Sequence, residues 1–122
     1  MASIAGIGTD IVEIDRVLKA CDRSCFLEKN FTSSEIKLIN KRKKSAATNF
    51  AGKEAVSKAF GTGFSDFGLM DIEILRDERG APFVNLYGNA KKRAQQLGIE
   101  KIFISLSDTD SMAIAYVVAE GK

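Results

Sequence analysis

Asn49 to Gly63, reading NFAGKEAVSKAFGTG, is the stretch that most limits what this chain can fold into. Its small residues Ala51, Gly52, Ala55 and Ala59 alternate with Phe50, Val56 and Phe60, so most of the circumference is apolar. A helix apolar nearly all round is buried inside a protein, not laid on its surface. Within that wrapping stand Glu54 and Lys58, four residues apart and so on one helical face. On a wheel at about 100° per residue, Ala47, Phe50, Ala51 and Ser57 share the side that Glu54 occupies. A carboxylate there costs several kcal/mol to bury unless something pairs with it. Either Lys58 is that partner and the pair has no further role, or the carboxylate serves a site.

At 122 residues the chain makes one domain with a real core. No run of about 18 apolar residues exists, so no membrane span is expected. The start, MASIAGIGTDIVEI, lacks the basic-then-apolar pattern of a signal peptide, which points to the cytoplasm. With no His and only Cys21 and Cys25, a zinc site of the usual ligand set is excluded. In a reducing compartment these thiols read as packed or idle. The net charge is only +2 but unevenly spread. Lys37, Lys41, Arg42, Lys43, Lys44, Lys53 and Lys58 face a single acid, Glu54, in the same span. A local basic patch in a near-neutral protein fits either an anionic ligand or acidic partner, or a solvated helix end.

Ile4 to Thr9 reads as a short strand whose Gly6 and Gly8 admit a closely packed neighbour. Asp10 falls at the junction with a helical pattern (Ile14, Val17, Leu18, Cys21), where Asp10 and Glu13 could cap the helix. Thr32 and Glu35 fit a capping box, flanked by the staple pair Phe31 and Ile36, opening a helix to about Lys43. The central helix then runs from near Ser45 to a glycine stop at Gly61 and Gly63. In the second half, alternation from Met70 to Ile74, a turn at residues 77–80 and Phe83 to Tyr87 predict a hairpin. Asn89 to Leu97 predicts a short helix. Lys101 to Leu106 and Met112 to Ala119 predict a second hairpin with a polar tip at residues 107–111. Helices gathered in one half and hairpins in the other give an α+β fold, an antiparallel sheet of hairpins packed around a long central helix. Both faces of the last hairpin are apolar, so its outer face, expected to carry Ile104 and Ile114, needs cover from another copy of the chain.

Three stretches carry a resemblance: GIGTDIVEIDRV at 6 to 17, FAGKEAVSKAFGTG at 50 to 63, and ISLSDTDSMAIAYVV at 104 to 118. Together, in order and over essentially the whole chain, they resemble holo-acyl-carrier-protein synthases, the small type of phosphopantetheinyl transferase. The resemblance implies transfer of the phosphopantetheine arm of coenzyme A to a serine of acyl carrier protein, for fatty acid biosynthesis, with magnesium. It implies Asp10 and Glu54 as metal ligands and catalytic residues, with catalytic Lys58 near the transferred phosphate. Lys53, Lys58, Gly61, Asp108 and Thr109 would contact coenzyme A, and Arg16 the acidic carrier protein. It implies a homotrimer with active sites between subunits, the hairpin tip around Asp108 and Thr109 closing a neighbour's pocket. Many members have Arg at the position of Asn49 and His at that of Asp108; both positions are associated with coenzyme A phosphates.

The residue chemistry agrees. Magnesium is held by one or two carboxylates plus phosphate oxygens and water, and a lysine one turn from the Glu supplies charge where a phosphate leaves. With no His, deprotonation of the serine falls to Glu54, a metal-bound water or solvent. Two other classes compete. A non-catalytic acidic-protein-binding module of the same fold would not need Asp10, Glu54 and Lys58. A nucleic-acid-binding domain would need stacking aromatics beside Lys41 to Lys44, which are missing there.

Overall fold

Twelve of the sixteen residues of helix α4 (Lys44–Ala59) are buried, so it is packed from several directions at once. In the computed structural model, which describes residues 2–64 and 66–122, the other elements are arranged to do this. They are β1 (Ser3–Glu13), α1 (Ile14–Cys21), α2 (Phe26–Asn30), α3 (Ser33–Lys41), a 3₁₀ turn (Leu69–Asp71), β2 (Ile72–Arg76), β3 (Pro82–Leu86), α5 (Gly88–Gln96), β4 (Ile99–Asp108) and β5 (Met112–Gly121). The expected α+β architecture is present, with the strands divided between a sheet of order β1-β5-β4 and the separate hairpin β2-β3. All pairings are antiparallel.

The larger sheet meets α4 through small residues. Ala113, Ala115, Val117 and Ala119 of β5 are fully buried on its inner face. On β1 the contact is closer still: a Cβ at Gly6 or Gly8 would run into the carbonyl oxygens of Ala59 and Ala55. The neighbour anticipated for those glycines is therefore α4 itself. Ile72 and Ile74 of β2 close a second side, and Ile14, Val17 and Ile39 of α1 and α3 a third.

Three expectations change. β1 continues to Glu13, with Asp10 opposite Ala115 inside the ladder, so Asp10 does not cap α1. The Glu13 side chain makes no cap either. A ten-residue partner strand gives β1 a backbone ladder that a local cap cannot match. Ile104 does not face outward: it opposes Val117 and packs against the core beside Gly52. The outer face instead carries Ile7 and Ile11 of β1, Phe103 of β4, and Ile114 and Tyr116 of β5, all exposed.

The third change concerns Lys53, expected at the substrate. It is fully buried, with its ammonium donating to Glu35 Oε1 (2.6 Å), Ile72 O (2.7 Å), Leu69 O (2.8 Å) and Asn30 O (2.9 Å). Burial pushes its pKa down and Glu35 pulls it back up. With four oxygens crowding three protons, Lys53 has nothing left for a ligand. Glu35 forms the anticipated capping box with Thr32 and also accepts from Asn49 Nδ2 (2.9 Å) and Ile74 N (3.1 Å).

Breaking a buried pair by removing one partner strands the other charge. Lys53→Met is expected to lower folding stability by about 3–5 kcal/mol in urea denaturation. Adding Glu35→Gln should recover part of that loss, because no uncompensated charge then stays buried. A single-variant loss well under about 1 kcal/mol would mean that the pair contributes no more than a surface ion pair.

Candidate active site

β1 and α4 bring three of the expected residues to one place. Asp10 lies on the inner face of β1, in line with Gly8, and its side chain retains 16% exposure. Glu54, half-buried, and Lys58, exposed, lie on consecutive turns of α4. The Lys58 ammonium, half exposed, donates to Asp10 Oδ1 (3.0 Å) and to Thr9 O (3.0 Å). It does not go to Glu54, so the reading of Glu54 and Lys58 as a self-satisfied pair falls. Among the described residues no donor reaches the Glu54 carboxylate; the Ser57 hydroxyl binds its backbone oxygen instead.

The electrostatics follow from that geometry. Burial pushes the Glu54 pKa up, the nearby Asp10 charge pushes it the same way, and Lys58 pulls it down. Two carboxylates that repel one another, one without a donor, fit a hard divalent cation. Among the described residues no group of three or more His, Cys, Asp or Glu side chains could hold a metal ion. Asp10 and Glu54 would thus leave most coordination positions to water and ligand oxygens, the habit of magnesium.

The remaining residues are spread along α4. Arg16 is exposed on α1 beside a groove walled by Ile11, Val12, Val17, Phe50 and Met112, on the strand that carries Asp10. Gly61 lies just past α4 at φ 77°, its N–H donating to Lys58 O (3.0 Å), and a left-handed backbone there suits glycine. Asp108 and Thr109 form the hairpin tip at the other end of α4. The Arg42 guanidinium grips both Asp108 oxygens (3.0 and 3.2 Å), and Lys44 Nζ reaches Thr109 O (3.3 Å). Lys44 and Glu54 are ten residues apart, about 15 Å along the helix axis. One chain therefore does not gather the tip and the Asp10 corner into a single small pocket.

Asn49 is not at a ligand surface. It is fully buried, its amide bonded to Glu35 and Ile74 O, and its oxygen accepting from Arg76 Nη2 (2.9 Å). Sequence reasoning missed Arg76, whose pKa is lowered first by burial and then by the neighbouring Arg42. Arg42 was within the basic run; Arg76, a lone basic residue in an acidic stretch, gave no signal. Together with Lys44 they make one end of α4 cationic.

The sequence model of the 4'-phosphopantetheinyl transferase superfamily matches residues 6–117. The chain belongs to that superfamily. A holo-[acyl-carrier-protein] synthase of Lachnoclostridium phytofermentans is 50% identical over 117 residues, covering 96% of each chain. One of Clostridium botulinum (strain Alaska E43 / Type E3) is 52% identical over 121 residues, covering 96% of this chain and 98% of that one. Among solved structures, Plasmodium yoelii holo-ACP-synthase superposes with TM-score 0.87 at 35% identity, covering 100% and 98% of the two chains. The Helicobacter pylori holo-[acyl-carrier-protein] synthase in complex with coenzyme A does so with TM-score 0.83 at 36% identity, covering 93% and 98%. The α+β fold is thus that of known transferases of this superfamily.

A raised carboxyl pKa in the fold means that ionised Glu54 costs stability above that pKa and nothing below the unfolded value. Glu54→Gln is therefore expected to stabilise the protein at pH 7. The advantage should shrink as pH falls toward the ordinary carboxylate range, where wild-type Glu54 takes up its proton. Denaturation midpoints at pH 7 and pH 4.5 check this; a variant less stable than wild type at pH 7 would contradict the strained-carboxylate account.

Proposed function

We propose that this protein is a holo-[acyl-carrier-protein] synthase. It transfers the 4'-phosphopantetheine group of coenzyme A to a serine of apo acyl carrier protein, giving holo carrier protein for fatty acid synthesis. The observation that carries this reading is the meeting of Asp10, Glu54 and Lys58 at one corner of β1 and α4, in a chain half identical to relatives bearing that name. A relative structure described with coenzyme A bound supports the donor substrate. A non-catalytic binding module would have no use for a donor-free carboxylate beside a second one.

We assign magnesium to Asp10 and Glu54. When bound, it polarises the phosphoryl oxygens and offsets charge on the leaving bisphosphate. The chain's own residues do the rest. Lys58 has an exposed ammonium to set against a phosphate where negative charge accumulates. In a chain with no histidine, the serine proton goes to Glu54, to a metal-bound water or to solvent. Arg42, Arg76 and Lys44 offer cationic groups to coenzyme A phosphates at the far end of α4. Exposed Arg16, next to the apolar groove on the Asp10 strand, suits an acidic carrier protein.

The outer face of the sheet supports self-association. Ile7, Ile11, Phe103, Ile114 and Tyr116 are 42–59% exposed on three adjacent strands, a contiguous apolar surface that one chain leaves uncovered. We assign it to a homotrimer in which the Asp108–Thr109 tip of one subunit closes the site of the next. No helix among the described residues is long and apolar enough to cross a membrane, and we assign the activity to the cytoplasm.

The deciding experiment is mass spectrometry of apo acyl carrier protein incubated with this protein, coenzyme A and magnesium, which should gain one phosphopantetheine. Asp10→Ala and Glu54→Ala are each expected to abolish that gain with the fold intact, and Lys58→Ala to slow it by about 10²-fold. Near-full activity of Glu54→Ala in saturating magnesium would refute the site.

Charge reversal at Arg16 should raise KM for carrier protein, most at low salt, and leave KM for coenzyme A nearly unchanged. Equal effects on both would move the carrier-protein surface elsewhere. Light scattering should give a trimer, and Ile114→Asp should dissociate it and remove activity together. A fully active monomer would end the trimer proposal.

A further inference from the structure

Lys58 has an environment that its assignment to the phosphate does not explain. Its ammonium, on a half-exposed side chain, lies at hydrogen-bond distance from two oxygens of β1, Asp10 Oδ1 and Thr9 O. Asp10 is the less exposed partner of the pair. Glu54, four residues earlier on the same helical face, feels its charge but accepts no hydrogen bond from it. The cation therefore sits on the one carboxylate that comes from a different element, across the gap between strand and helix.

We infer that Lys58 is a built-in counter-ion for Asp10, competing with the divalent cation for that carboxylate and freed toward the phosphate when the cation takes it. This rests on the proposed reading of Asp10 and Glu54 as the metal-holding pair. A lysine ammonium is a compact point charge on a flexible four-carbon stem, so it can leave a carboxylate by rotation alone, without moving α4. Two cations on one carboxylate repel, and a divalent ion gains more from the Asp10 and Glu54 pair than a monovalent ammonium does. The displaced side chain already has half its surface in solvent, so it enters the space from which an anionic substrate would approach. Until then the ammonium keeps Asp10 from repelling Glu54 unopposed. The same residue would hold the site together without the cation and complete it for the phosphate with the cation.

The inference fixes a sign: removing the ammonium should strengthen cation binding at Asp10. Manganese(II) binding to the full-length protein, followed by the loss of free-ion electron paramagnetic resonance signal, is measured at pH 7.5 without coenzyme A or carrier protein. Lys58→Met is expected to bind the ion about three- to tenfold more tightly than wild type, the scale of losing one close, partly exposed charge pair. Lys58→Gln, checking the same point with a polar side chain, should also bind more tightly. Lys58→Arg, which keeps the charge, should stay near wild type. Unchanged or weaker binding by both uncharged variants overturns the inference while leaving the metal assignment standing, as does tighter binding by Lys58→Arg equal to that of Lys58→Met. A wild type that binds no manganese, or an Asp10→Ala variant that binds it as well as wild type, overturns the metal assignment and the inference with it.

Discussion

The Lys53 ammonium fixes the roll of the central helix, and the site depends on that roll. Its four oxygen partners come from the end of α2, from α3, from the 3₁₀ turn and from β2. A charge in the core is tolerated only with good geometry and saturated hydrogen bonding, and any rotation of α4 would forfeit both. Glu54 follows immediately, about 100° round the helix. Once Lys53 is pinned inward, Glu54 is brought to the helix edge facing the Asp10 strand. Glu35 extends the constraint, since its second oxygen holds Asn49 one turn earlier and the β2 amide of Ile74.

The other half of the placement comes from absent side chains. Gly6 and Gly8 let the β1 backbone rest on the carbonyls of Ala59 and Ala55, closer than any Cβ permits. Asp10 is two residues on from Gly8, so its carboxylate points to the same side, into the space between strand and helix. The alanines of β5 let the sheet approach all along the helix. Strand and helix are thus held at a separation that a carboxylate from each can share. Both carboxylates are partly desolvated and mutually repelling, which raises the Glu54 pKa and leaves a demand for positive charge.

How far this was legible varies by residue. The burial of α4 followed from its apolar circumference, and the Thr32–Glu35 box from its spacing, because each is a local pattern read at one helical period. The length of β1 was not local: Asp10 and Glu13 are good capping residues, and only the ten-residue partner strand decides against the cap. Ile104 was misplaced because an apolar residue on a strand apolar on both sides has no marked face; register with Val117 settles it. Asn49, standing where many members carry Arg, gave no local sign of its core role, because its partners lie 14, 25 and 27 positions away. The resemblance grouped Asp10, Glu54 and Lys58, and the fold brings them together, but their internal pairing was not legible. Spacing joined Glu54 to Lys58, and the fold joined Lys58 to Asp10.

Lys53 and Lys58 mark where sequence stops and tertiary structure begins. They are the same residue type on the same helix, five positions and so about 140° apart on the wheel. Each could reach an anion, and residue type alone does not say which will. The fold gives one of them four fixed oxygens and no solvent, the other two oxygens and half its surface in water. Lys53 cannot exchange its partners without opening the core, so its charge does structural work. Lys58 can exchange its partners by a side-chain rotation, so its charge is available to chemistry. The division of labour is set by burial, through the cost of moving each cation, and not by any difference in its intrinsic affinity for phosphate.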